Sequence, residues 1–193
     1  MLSLYLLGFI VVCFILQLVI PGFTEAFWFN PDTALTKPWT FVTSIFLHGS
    51  LTHLFFNGYA LFLFGSILES RVTKKQYLTI FFVGGIIGSL LYYISILIGI
   101  GLPIPALGAS GAIFAILGAV AVMIPNLRIF FFFIPMKMRT AAILWFVVEF
   151  LGTFNTGSGI ASAAHLGGLI FGVLYATYLM RQRAEVLHPP WVY

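Results

Sequence analysis

Apolar residues run along this chain in long blocks, separated by short stretches rich in polar residues, Pro or Gly. A membrane-crossing helix needs about 20 mostly apolar residues. Blocks of that order lie at 2–21, 51–69, 77–100, 109–124, 139–154 and 161–180. The fourth and fifth are short, which a span tolerates where its mouth opens on a protein-lined cavity instead of lipid. The first block reads as a span and not as a signal peptide. Met1 to Tyr5 carries no basic residue, the apolar run is too long, and no small-residue cleavage site follows. Residues 22–50 form a long loop rich in Phe and Trp and interrupted by Pro31 and Pro38. Its aromatics are expected at headgroup depth in the outer interface. Phe130 to Phe133, between Arg128 and Lys137, are too few to cross and read as an inner interfacial segment or a helix start. No internal repeat is evident, which leaves an inverted-repeat transporter without support.

Composition strengthens this reading. The 193 residues are 61% apolar and 7% charged, and their mean hydropathy is +1.10. A soluble domain carries roughly 25% charged and 45–50% apolar residues, so a soluble globule is excluded. So is a disordered chain. The lone Cys13 excludes an intrachain disulfide and a cysteine-based zinc site. Despite the net charge of +4, the basic residues form no stripe with interleaved aromatics, so no nucleic-acid partner is expected.

Charge also orients the bundle. Arg71, Lys74, Lys75, Arg128, Lys137, Arg139, Arg181 and Arg183 fall on one side of a six-span arrangement. Only Lys37 lies opposite, in the loop that holds Glu25 and Asp32. The positive-inside rule then places both termini in the cytoplasm. The expected architecture is an all-α integral membrane protein, a single domain over 1–193 with six transmembrane helices.

Polar residues at membrane depth are costly and usually functional. His48, His53 and Asn57 cluster at the outer start of the second span; His53 and Asn57, four apart, share one helical face. Gly108-Ala109-Ser110-Gly111 opens the fourth span, where glycines permit close approach and a helix N-terminus offers unpaired N–H groups. Ser110 there reads as a nucleophile with its own amide as an oxyanion donor, or as an ordinary N-cap. In the sixth span His165, Gly168 and Gly172 lie on one stripe, and Gly111, Ala115 and Gly118 form a matching stripe on the fourth. If those faces meet, Ser110 and His165 come within hydrogen-bond reach. Helix–helix hydrogen bonding is the bland account of each group alone. Convergence argues against it, because His53, Ser110 and His165 each lie within about two turns of the outer end of their span. That set suits nucleophile, base and oxyanion donors.

These residues resemble the rhomboid family of intramembrane serine proteases. The resemblance runs from about residue 39 to 176. It rests on His48-x4-His53-x3-Asn57, Gly108-x-Ser110-Gly111 and Ala164-His165-x2-Gly168-x3-Gly172, with Glu69, Arg71 and Trp39 as further matches. It implies a six-helix, rhomboid-like bundle with a water-filled cavity open to the outside. It implies a Ser110–His165 dyad, with His53, Asn57 and the Ser110 amide around the oxyanion, and hydrolysis without metal or cofactor. Substrates would be transmembrane segments of other proteins, admitted beside the fifth span. The protein would sit in the cell membrane as a multi-pass protein, its active site opening to the extracytoplasmic side. Two positions depart from the family pattern: Thr40 follows Trp39 where arginine is common, and Phe114 stands where tyrosine often stacks on the histidine.

Several alternatives stay open at the level of sequence. A catalytically silent relative would bind membrane clients, and a channel or small transporter would use the histidines as a proton relay. A metal site is disfavoured, because His48 and His53 are five apart with no carboxylate between them. Glu149 either modulates the base, pairs within the bundle or faces the cavity. Glu69 and Arg71 are expected to form an ion pair at the inner end of the second span. His48 is expected to anchor the first loop by hydrogen bonding, and His188 to be solvent-exposed.

Overall fold

The long apolar blocks are helices in the computed structural model, which describes residues 1–131, 133–155 and 161–187. His188 lies outside the described residues. Helix α1 (Leu2–Val19) is followed by a loop carrying two short helices, α2 (Phe23–Phe27) and α3 (Thr40–Thr43). Helix α4 (Leu51–Ala60) runs through a π-helical turn at Leu61–Gly65 into α5 (Ser66–Glu69). Then come α6 (Lys74–Leu97), α7 (Ser110–Met123), a two-stranded hairpin, α8 (Met138–Thr153) and α9 (Ser162–Leu187). Among the described residues, four helical stretches are long and apolar enough to cross a membrane: Leu2–Val19, Leu51–Glu69, Lys74–Leu97 and Ser162–Ala184. The chain is an integral membrane protein. Helices α7 and α8, with 14 and 16 residues, are shorter.

Local chemistry sets the helix starts. The Ser50 hydroxyl accepts the His53 N–H and opens α4. Thr73 and Gln76 form a reciprocal capping box at the head of α6. Helix α7 is the core of the bundle, enclosed mainly by α6 and α9, and most of its residues are buried. The small-residue stripes do meet. A methyl group on Gly168 would overlap the Gly111 carbonyl, and one on Gly172 would overlap the Ala115 carbonyl. Backbone contact at this range is available only to residues without side chains.

Two expectations are corrected. First, the segment around Phe130 is not a helix start. Strands β1 (Arg128–Phe131) and β2 (Ile134–Lys137) pair antiparallel, Arg128 opposite Lys137. Pro135 disfavours a helix here, and Phe133 turns the chain at φ 67°. In the first loop, Phe29 is 1% exposed. It exchanges two backbone hydrogen bonds with Ala106, at 3.0 and 2.8 Å, and packs against Phe41, Tyr92 and Tyr93. Trp39 of the same loop stays half exposed.

Second, Glu69 does not pair with Arg71. Its carboxylate accepts the Leu2 N–H (2.6 Å), the Ser3 N–H (3.2 Å) and the Ser3 hydroxyl (2.9 Å). The unpaired N–H groups of the first turn of α1 attract the carboxylate more strongly than a solvated guanidinium does. His48 anchors the loop by hydrogen bonding as expected, and does so through its backbone. Gln17 accepts the His48 N–H at 2.9 Å and donates to the His48 carbonyl at 3.2 Å. Both ring nitrogens are buried with no well-formed hydrogen bond among the described residues, although the Phe46 backbone lies close to the ring. That burial, with His53 close by, holds the His48 pKa down at about 4.

Candidate active site

Ser110 is the first residue of α7, so its N–H is among those without an intrahelical acceptor. The residue two before it makes the approach possible. Gly108 has φ +133°, in the region that side chains rarely adopt, and its N–H donates to the Ser44 carbonyl at 2.9 Å. A Cβ there would stand 2.7 Å from Cε1 and 2.9 Å from Nε2 of His53. The His53 ring thus lies directly over the turn that delivers Ser110. The loop before Gly108 is held from α6, whose Tyr92 hydroxyl donates to the Ile104 carbonyl at 2.9 Å.

From α9, His165 places Nε2 2.7 Å from Ser110 Oγ. The Phe114 ring, one turn along α7 from the serine, stacks on the imidazole at 4.5 Å and 8°. An aromatic ring alone therefore suffices for the stacking at this position. Behind the imidazole, Glu149 of α8 sets Oε1 3.1 Å from Nδ1. The N–H direction is off that line, so the contact is electrostatic and not a well-formed hydrogen bond. Ser162 donates its hydroxyl to the same carboxylate.

Asn57 lies one turn below His53. Its amide donates one hydrogen to the His53 carbonyl at 3.0 Å, which leaves the second N–H free. The Gly49 N–H makes a long 3.4 Å contact with His53 Nδ1. An acceptor at Nδ1 leaves the proton on Nε2, the nitrogen facing Gly108 and the serine. The His48 ring meets that of His53 edge-on at 4.9 Å.

All of this opens on a cavity of about 610 Å³. His53, Asn57, Ser110 and His165 line it together with Phe64, Phe114, Leu117 and Trp145. Polar groups thus converge over an apolar floor, the usual make-up of a binding site. The structure brings together every residue singled out for the nucleophile, the base and the oxyanion. Sequence reasoning missed Gln17 and Ser162; each is a polar residue without a motif, used by a partner far along the chain or on another helix. No group of three or more His, Cys, Asp and Glu able to hold a metal occurs among the described residues.

A family model described as the rhomboid domain matches residues 35–182. The human mitochondrial presenilin-associated rhomboid-like protein is 35% identical over 138 residues, covering 70% of this chain and 36% of its own length. Rhomboid protease GluP of Bacillus subtilis (strain 168) is 34% identical over 144 residues, 73% of this chain and 26% of the relative. Mitochondrial rhomboid protein 1 of Saccharomyces cerevisiae is 30% identical over 154 residues, 76% of this chain and 43% of the relative. The chain thus spans less than half the length of these curated relatives.

Proposed function

The chain belongs to the rhomboid family, and from that premise we propose that it is an intramembrane serine endopeptidase acting on transmembrane segments of other proteins. One observation carries the reading: Ser110 Oγ and His165 Nε2 are 2.7 Å apart on the wall of an open cavity.

Ser110 Oγ attacks the scissile carbonyl carbon while His165 Nε2 takes the hydroxyl proton. The carbonyl oxygen becomes an oxyanion. The Ser110 N–H, the second Asn57 N–H and His53 Nε2–H are the donors we assign to it, and donors fixed in advance stabilise the developing charge without the reorganisation that bulk water needs. His165 then gives its proton to the leaving amine, and the acyl-enzyme remains. A water molecule entering from the cavity repeats the sequence, with His165 again as base, and frees Ser110.

A substrate helix has to unwind locally before its backbone reaches the serine, so residues of low helix propensity near the cut lower the cost. We read six crossing segments (α1, α4 with α5, α6, α7, α8 and α9), with the basic loops and both termini cytoplasmic. The cavity then faces the extracytoplasmic side of the membrane. The same reading takes no cofactor.

The test is covalent labelling with a fluorophosphonate in detergent, together with cleavage of a helical membrane substrate. Wild type is expected to label and cut, and Ser110→Ala to do neither. A folded wild type that neither labels nor cuts would favour a client-binding relative without catalysis.

A further inference from the structure

We infer that Glu149 is a positioning residue for His165, so that the site works as a Ser110–His165–Glu149 relay and not as an unassisted pair. This rests on the protease reading above.

The geometry carries it. Glu149 Oε1 lies 3.1 Å from Nδ1, the imidazole nitrogen opposite the one that faces Ser110. Both side chains are nearly buried, with 13% of His165 and 12% of Glu149 exposed. Nδ1 has no hydrogen-bond partner among the described residues, so this carboxylate is the acceptor within reach. Ser162, itself 5% exposed, donates to the carboxylate and holds it in place. Glu149 does not line the cavity, so it acts from behind the imidazole, away from any substrate.

Phe114 fixes the plane of the ring, and motion within that plane remains. Contacts at both ring nitrogens remove that freedom, with Ser110 on one edge and Glu149 on the other. They also select the tautomer: an acceptor at Nδ1 keeps the proton there and leaves the Nε2 lone pair facing Ser110. When Nε2 takes the serine proton, the ring becomes a cation bearing two N–H groups. The Nδ1–H then faces an anion at 3.1 Å, and a small rotation converts the misaligned contact into a charge-assisted hydrogen bond. No proton passes to Glu149; the Nδ1 proton stays on the ring, and the Nε2 proton goes on to the leaving amine. The carboxylate therefore favours the charged intermediate over the resting state, which is the condition for raising kcat.

The experiment compares wild type, Glu149→Gln, Glu149→Asp and Ser162→Ala for cleavage of a fluorescent transmembrane substrate in micelles. The rate of fluorophosphonate labelling is measured alongside and normalised to the fraction of enzyme that finally labels. The relay predicts that Glu149→Gln loses about 10²-fold in kcat at unchanged KM, with labelling slowed in parallel. It predicts partial recovery in Glu149→Asp and a smaller loss in Ser162→Ala. Active wild type with Glu149→Gln within threefold of it, per labelled site, overturns the relay and leaves the protease reading standing. A merely structural Glu149 would reduce the labelled fraction and not the rate per site, and that result also overturns the relay. Wild type that neither labels nor cuts overturns the protease reading, and the relay with it.

Discussion

Substituting Gly108 by alanine tests whether His53 stabilises the oxyanion. The added Cβ would stand 2.7 Å from His53 Cε1 and 2.9 Å from Nε2. Carbon pairs settle at about 3.5–4.0 Å, so the ring would have to retreat by about 0.8 Å or more. The His48 ring, whose centroid is 4.9 Å away, limits how far the His53 ring can move. The alternative is for the turn to abandon φ +133°, a conformation that costs a residue with a side chain about 1–3 kcal/mol. Either way the Ser110 amide and His53 Nε2 lose their common target. Losing one oxyanion donor lowers kcat by about 10²–10³-fold. The assay is turnover of a labelled transmembrane substrate in micelles, with thermal unfolding measured on the same samples. A Gly108→Ala variant that stays folded and turns over within threefold of wild type would refute this geometry of the oxyanion site.

Two further outcomes follow from the packing. Gly172→Ala would press a methyl against the Ala115 carbonyl and part α7 from α9; overpacking of this kind costs about 1–3 kcal/mol. The expected result is a lower unfolding temperature together with a more than tenfold loss of fluorophosphonate labelling, because the same separation stretches the Ser110–His165 contact. His48 predicts a pH dependence of stability. Its folded pKa of about 4 lies below the ordinary value of 6.5, so the folded state resists protonation and the unfolded state does not. Its contribution is complete above pH 6.5, declines as pH falls from 6.5 to 4, and is level below that. The window corresponds to about 3 kcal/mol. Denaturant unfolding in micelles should show a shallower decline over that range for His48→Leu than for wild type.

The helical blocks were legible because a membrane span is a local property: length and apolarity sit within one contiguous stretch. Boundaries expected at 51–69 and 109–124 match helices Leu51–Glu69 and Ser110–Met123 closely. The Ser110 and His165 contact was legible for a related reason, since two glycine-bearing stripes predict a close approach without knowledge of the rest. Contacts made by one side chain to a distant backbone left no such trace. Glu69 binds the first turn of α1, more than 60 residues away, and Gln17 clasps His48 across 31 residues. Neither lies in a periodic pattern. The hairpin at Arg128–Lys137 was hidden by its apolarity: a short run of Phe and Ile has the same composition in a strand as in an interfacial helix.

The shortness of α7 has a consequence for substrates. Fourteen residues of helix extend about 21 Å, whereas the hydrocarbon layer is about 30 Å thick. On the proposed six-span reading, Arg128, just beyond the Met123 end, would keep that end near a polar boundary. The shortfall of about 9 Å would then fall at the serine. A client helix lying alongside would present to Ser110 a bond roughly six residues inside its own apolar run. The bundle would thus measure where to cut by ruler, so that lengthening a client's apolar segment by a turn should displace the scissile bond along it.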